Sequence, residues 1–288
     1  MMNFIDISSW QRGLDLKVLY RENPIDGVIV KSTGGVSHVQ DTCDAWVQWL
    51  IAKGKPWGFY HFLDDDSRHS SGQAEAEWFV KNTRNYFGLG MPFADYEGYA
   101  KTRGTAYLKE FLDTVFALTG VRAGVYCSLS VVQEQNFTEI AKNHPLWVAQ
   151  YANYNRVDGF LDKPWQSGSV KPFDHYVLHQ YTSMGYLNGY NGRLDFDQFY
   201  GTMSDWKALL EGKTPEVRKA DPKVVMDVLL NKYGCGEDRV KNLTEAGYDA
   251  QDVQNKVNEL YAISVSCKKY VLGNEEYLDS IARIINNL

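Results

Sequence analysis

Hydrophobic and polar positions follow two different rhythms along the first 200 residues. Short runs rich in Val, Ile, Phe and Tyr, bounded by Gly, Pro, Asp or Ser, predict strands. They fall at Asn3–Ser8, Gly27–Thr33, Trp57–Leu63, Pro92–Glu97, Ala123–Ser128, Leu146–Tyr151 and Tyr176–Thr182, with a further short strand at Leu194–Phe199. Between the early runs the apolar spacing changes to three and four. Ser70–Tyr86 opens on polar capping residues and sets Ala74, Trp78 and Phe79 on one side. Tyr107–Thr119 carries Leu108, Phe111, Leu112, Val115 and Leu118, and Gly120 supplies the stop. Repeated strand–helix–strand alternation is the pattern of a parallel sheet, open or closed into a barrel. The alternation breaks after Tyr151, because Ala152 to Gly192 is full of Gly, Asn, Pro and aromatics without a helical stripe. The predicted fold is α/β, an irregular (β/α) barrel with fewer helices than strands.

A second change of pattern comes at EGKTPEVRKA, residues 211–220, which is charged, poor in apolar residues and reads as a linker. Three short helices are expected after it. Asp221 and Pro222 give an N-cap followed by proline at the first helical position, and Val224, Val225, Val228 and Leu229 form a stripe. A second helix around Glu237–Ala246 holds Val240 and Leu243 and ends at Gly247, and Asp249 caps a third with Val253, Val257 and Leu260 on one face. The apolar tail after Ala262 is expected to extend that core. The division is thus 1–210 for the barrel, 211–220 for the linker and 221–288 for a small all-α domain.

Charge and composition narrow the function. The 288 residues carry a net charge of -6, which argues against a nucleic-acid partner held by phosphate neutralisation. No apolar run is long enough for a membrane span, and the MMNFIDISSW start lacks a basic segment followed by an apolar one, so neither membrane insertion nor an export signal is expected. Cys43, Cys127, Cys235 and Cys267 are scattered, with no zinc spacing, and are expected to stay reduced. Aromatics make up 14% of the chain, with 19 Tyr and 8 Trp; such side chains fill cores, but they also offer sugars a flat apolar face and a polar edge.

In a βα barrel the working residues lie at the C-terminal ends of the strands. Here those ends supply Asp6, Asp95, Glu97, Asp195 and Asp197, interleaved with Trp10, Tyr60, His61, Phe62, Tyr96, Tyr126, Trp147, Gln150, Tyr151, Gln180 and Tyr181. Asp95 and Glu97 are two apart on a strand, so they share a face about 6.6 Å apart along the chain. Carboxyls this close cannot all ionise freely, and at least one pKa should rise. A protonated acid beside an ionised carboxylate is the pair that glycosidic hydrolysis uses. A lone DxE is weak evidence, since most such pairs are solvated turn residues; Asp6, Asp95, Glu97 and Asp195 together at strand ends among aromatics are stronger.

The segments DISSWQ (Asp6–Gln11), VKSTGG (Val30–Gly35), GFYHF (Gly58–Phe62), ADYE (Ala94–Glu97), GVYCS (Gly124–Ser128), LWVAQY (Leu146–Tyr151), HQYTSMG (His179–Gly185) and LDFDQF (Leu194–Phe199) resemble, in order, glycoside hydrolase family 25. These are the lysozymes of phage endolysins and bacterial autolysins. The resemblance implies an eight-stranded irregular barrel and cleavage of the β-1,4 bond between N-acetylmuramic acid and N-acetylglucosamine in peptidoglycan. It implies Glu97 as the general acid, Asp95 as its partner (nucleophile-like, or stabilising the reacting N-acetyl group), and Asp6 and Asp195 as further acids lining the pocket. Two positions depart from the family, which often has Asn where Asp197 stands and Arg where Lys31 stands. NKYGCGEDR, LTEAGYD and VQNKVNEL, within Val224–Leu260, resemble the CW-seven wall-binding repeat of phage lysins, with Tyr233, Arg239, Tyr248 and Asp249 as its candidate wall contacts.

The reading is therefore a two-part peptidoglycan hydrolase whose small domain raises enzyme concentration at an insoluble substrate. No metal or organic cofactor is implied: Asp64–Asp66 lacks calcium spacing, and Gly34–Gly35 lacks the continuation of a phosphate loop. The missing export signal fits an endolysin held in the host cytoplasm until a separate pore releases it; an autolysin of the same chemistry is the alternative. A non-catalytic wall lectin should have lost one of the four acids, and an amidase or peptidase would need a zinc site or a Cys/His pair. Self-association through the C-terminal domain is left open by its amphipathic tail.

Overall fold

The structure, a computed structural model, describes residues 1–65, 68–211 and 219–268. The chain divides into two compact units, Met1–Pro215 and Glu216–Leu288. In the first, strands β1 (Met2–Ile7), β2 (Gly27–Gly34), β3 (His38–Val39), β4 (Trp57–Phe62), β5 (Met91–Asp95), β6 (Gly124–Ser128), β7 (Leu146–Ala149), β8 (Val157–Asp158), β9 (Leu178–Tyr186) and β10 (Leu194–Phe199) belong to one sheet. Parallel pairing runs β1–β2–β4–β5–β6–β7–β9, and β10 closes the ring antiparallel to both β9 and β1. Eight strands thus make the barrel, while the two-residue strands β3 and β8 attach to β2 and β9.

Helices α1 (Leu16–Glu22), α2 (Cys43–Ala52), α3 (Gly72–Thr83), α4 (Thr105–Thr119), α5 (Leu129–Glu134) and α6 (Thr138–Ala141) connect the parallel strands up to β7, and α7 (Met203–Leu210) follows β10. Between β7 and β10 there is no helix, as the loss of a helical stripe predicted. Leu108, Phe111, Leu112 and Val115 of α4 are buried and Gly120 ends it with φ 73°, while Leu118 stays exposed. On α3 the expected face is rotated. Phe79 is in the core with Glu75, Ala76 and Val80, and Ala74 and Trp78 lie at its flank. A carboxylate on the buried face concealed the true stripe.

Strand side chains alternate between two cores. Outward-facing Ile5, Val28, Val30, Phe59, Ala94, Val125, Cys127, Val148 and Phe196 pack against the helices. Inward-facing Met2, Phe4, Ile29, Met91, Phe93, Trp147, Leu178 and Phe199 fill the barrel with Trp206 and Leu209 of α7. Gly124 leaves room for that filling, since a Cβ there would come within 2.5 Å of the Phe93 ring. The apolar inner layer stops at one level. The next inward positions toward the C-terminal ends are Asp6, Lys31, Tyr60, Asp95, Tyr126 and Gln180, so the same alternation that builds the plug delivers polar groups to the mouth.

The second unit holds α8 (Pro222–Leu229), α9 (Gly236–Glu245) and α10 (Ala250–Lys268). Asp221 caps α8, accepting the Val224 N–H at 2.8 Å, and Val224, Val225, Val228, Leu243, Val253 and Val257 form the core. Val240, expected inside, is exposed, as is Leu229. Residues 212–218 of the expected linker and the tail from 269 onward lie outside the described residues.

Candidate active site

A cavity of about 470 Å³ opens at the C-terminal mouth of the barrel. Its walls include all four predicted acids, Asp6, Asp95, Glu97 and Asp195, with Trp10, Tyr60, Phe62, Tyr126, Trp147, Tyr151 and Gln180. β1 delivers Asp6, the end of β5 delivers Asp95, and Glu97 follows two residues beyond it. Ser8 caps the short turn Ser9–Gln11, its N–H donating to Gln11 Oε1 at 2.9 Å, and this turn leaves Trp10 90% exposed at the rim.

Gln180 organises one side of the floor. Its Nε2 donates to Asp6 Oδ2 at 2.6 Å, while its Oε1 accepts the Tyr126 hydroxyl at 2.8 Å and the Tyr151 hydroxyl. Trp147 Nε1 donates to Asp197 Oδ1 at 2.7 Å, so Asp197 lies buried beneath the open cavity. Asp95 Oδ1 is buried without a hydrogen-bond partner among the described residues. Lys31, two residues after inward-facing Ile29 and just before a β-bulge, reaches the mouth, where its Nζ is 2.7 Å from Asp65 and 4.6 Å from the Phe62 ring centre.

Crowding and burial keep protons on these acids. Burial, reinforced by Glu97, pushes Asp95 well above the usual carboxylate range, and Lys31 opposes the rise. Burial also raises Glu97 against Lys101 and Lys31. Asp6 is raised by burial and then by Asp197, and Asp195 is pushed up to about 8 by burial with Asp6 and Glu97. Two neighbouring carboxyls that are both raised lose their protons in two separate steps, and between those steps the pair is one acid and one carboxylate.

Four of the strand-end residues face away from the cavity, Tyr181 among them in the outer core, where its hydroxyl accepts the Leu161 N–H at 3.2 Å. His61 follows inward-facing Tyr60 and so points outward; it is fully buried, with Nε2 3.0 Å from Glu75 and Nδ1 2.8 Å from the Thr33 hydroxyl. Tyr96, between Asp95 and Glu97, also points outward, donating its hydroxyl to Gln135 at 2.8 Å beside Phe137. Gln150 is spent on the backbone of Ser167, at 2.6 Å and 3.1 Å. Strand alternation alone excludes His61, Tyr96, Gln150 and Tyr181. Conversely, Ser183 on the irregularly paired end of β9, and Tyr190 and Arg193 in the loop before β10, line the cavity where no regular periodicity marks them. In the acidic loop, Asp64 turns to His69 at 3.0 Å and Asp65 to Lys31, and Asp66 lies outside the described residues.

In the second unit the four candidate wall contacts are all bonded within the module. Arg239 donates to the Gly234 carbonyl and Gln254, and the Tyr233 carbonyl accepts from Asn242. The Tyr248 hydroxyl donates to Asp221, and Asp249 accepts from the Asp252 N–H while pairing with Lys219.

Residues 5–190 match the model of the glycosyl hydrolases family 25, and residues 223–261 match the CW_7 repeat. The lysozyme of Streptococcus phage Cp-7 is 25% identical over 268 residues, covering 89% of this chain and 69% of that protein. The autolytic lysozyme of Clostridium acetobutylicum is 28% identical over 202 residues, 69% of this chain and 56% of that one. Among solved structures, the bacterial lysozyme of Streptomyces coelicolor superposes with a TM-score of 0.61 at 21% identity, over 74% of this chain and 98% of the other, which supports the shared fold.

Proposed function

The chain belongs to family 25 of the glycosyl hydrolases, and from that premise we propose that it is a peptidoglycan hydrolase of the endolysin type. It cleaves the β-1,4 bond between N-acetylmuramic acid and N-acetylglucosamine. The observation that carries this reading is the placement of Asp95 and Glu97 together in an open, aromatic-walled cavity, both with raised pKa. In the mechanism, Glu97 gives its proton to the glycosidic oxygen as the C–O bond breaks. Asp95 supports the cation-like sugar carbon, either by attack or by holding the N-acetyl group that attacks. Water then supplies the hydroxyl to that carbon and its proton returns to the acid pair. Asp6, fixed by Gln180, and Asp195 complete the carboxyl lining of the site. Trp10, Tyr60, Phe62, Tyr126 and Tyr151 are proposed to meet the glycan, with Trp147 backing them.

The CW_7 repeat supports wall attachment by the second unit, and the phage relative supports a protein that waits in the host cytoplasm and reaches the wall through a pore. The Clostridium relative favours a second reading, an autolysin of the same chemistry. Because Glu97 lies apart from the repeat in sequence, Glu97→Gln is expected to abolish lysis while wall binding persists. Near-normal lysis by that variant would overturn the acid assignment.

A further inference from the structure

A second cavity, of about 530 Å³, lies beside the first, and Tyr190 lines both. It forms where β8 pairs with the end of β9, Asp158 opposite Tyr186, and so opens on the same end of the barrel as the acids. Its chemistry is different. The Arg156 guanidinium carbon sits over the Tyr186 ring, 3.8 Å from its centre, and Asp158 accepts from its Nε and Nη2 at 2.8 and 2.7 Å. Asn188 and Asn191 are among the residues lining the cavity. The wall is fixed by a reciprocal pair: Asn23 donates to the Asn188 carbonyl at 2.8 Å, and the Asn188 N–H donates to Asn23 at 3.1 Å.

We propose that this cavity receives the peptide stem that branches from the muramoyl sugar next to the scissile bond. The inference rests on the peptidoglycan reading above. Peptidoglycan has two chemically distinct parts, a neutral glycan and a short peptide with free carboxylates. The first cavity is lined by four carboxyl groups, of which the ionised one repels a stem carboxylate, and the neighbouring cavity offers a guanidinium. Asp158 occupies one edge of that guanidinium, and the remaining N–H groups are exposed for a planar carboxylate. Asn188 and Asn191 bring amides of both polarities, suited to peptide groups. A sugar fits less well, because the ring face it would stack on is already covered by Arg156.

The test uses the full-length chain on two forms of one substrate: purified peptidoglycan with its stems, and the same glycan after an amidase has removed them. New reducing ends are counted on both. Arg156→Ala should lower kcat/KM about ten-fold on stem-bearing strands, the size of one charge-assisted hydrogen bond, and leave the stripped glycan unchanged. Arg156→Lys should recover part of the loss, and Asn188→Asp, which adds a repelling carboxylate, should reproduce it. Equal effects on both substrates, or no effect on either, would overturn the proposal. Failure of the unaltered chain to release reducing ends from either form would instead sink the hydrolase reading, and this inference with it.

Discussion

Two sets of buried carboxylates lie on opposite faces of the same barrel wall, and they are treated in opposite ways. Glu75, on α3 in the outer layer, is completely buried and fully occupied. It accepts from the Asp64 N–H at 2.9 Å and the Tyr107 hydroxyl at 2.5 Å, and it faces His61 at 3.0 Å. Burial pushes His61 down, so the imidazole is neutral and can donate through Nε2 while accepting from Thr33. On the inner face, Asp95 keeps an unpartnered oxygen, and Asp6, Glu97 and Asp195 crowd around the same opening. An acid surrounded by donors stabilises a fold; acids surrounded by acids raise one another's pKa and stand ready for proton transfer.

Substitutions can break that contrast. The largest effect is expected for Asp95→Asn, which should reduce lytic activity by at least about a thousand-fold, as loss of a group acting in the transition state does. Its melting temperature should hold or rise, because the variant relieves like-charge crowding. Glu75→Gln should do the reverse. An amide N–H would then face a donor, so unfolding free energy should fall by about 3 kcal/mol in denaturant titration while the activity of the folded fraction stays near normal.

A smaller effect separates the faces by pH. Asp195, raised in the folded state, contributes stability that is complete below its unfolded pKa and is lost as pH rises through about 8. Asp195→Asn removes that loss, so its melting temperature should exceed the parent's by about 3 °C at pH 9, with little difference at pH 4. Lys31→Met withdraws the charge that holds Asp95 and Glu97 down, and the pH profile of activity should move upward. Trp10→Ala, at the exposed rim, should raise KM a few-fold with little change in kcat, as loss of stacking does.

Much of this was legible in the sequence. The eight barrel strands, the helix-free stretch before β10 and the four acids all follow from apolar spacing and from the rule that barrel chemistry sits at strand ends. What was misread had one physical origin. His61, Tyr96 and Gln150 are neighbours of true lining residues, and a period of two sends neighbours to opposite faces. Applied strictly from Phe4–Asp6 and Phe93–Asp95, that period separates Tyr60 from His61 and Trp147 from Gln150. It does not reach Ser183, Tyr190 or Arg193, which a bulged strand end and a loop bring to the cavity. Glu75 was hidden because its burial depends on His61, Tyr107 and the Asp64 backbone, partners distributed over 46 positions of chain.

The central claim is that the inner-face acids cut the glycan and not the peptide. Digestion of purified peptidoglycan followed by identification of the new chain ends tests it most directly. The account predicts fragments with N-acetylmuramic acid at the new reducing ends and no new free amines. Free amines without new reducing ends, or reducing ends at N-acetylglucosamine, would contradict it.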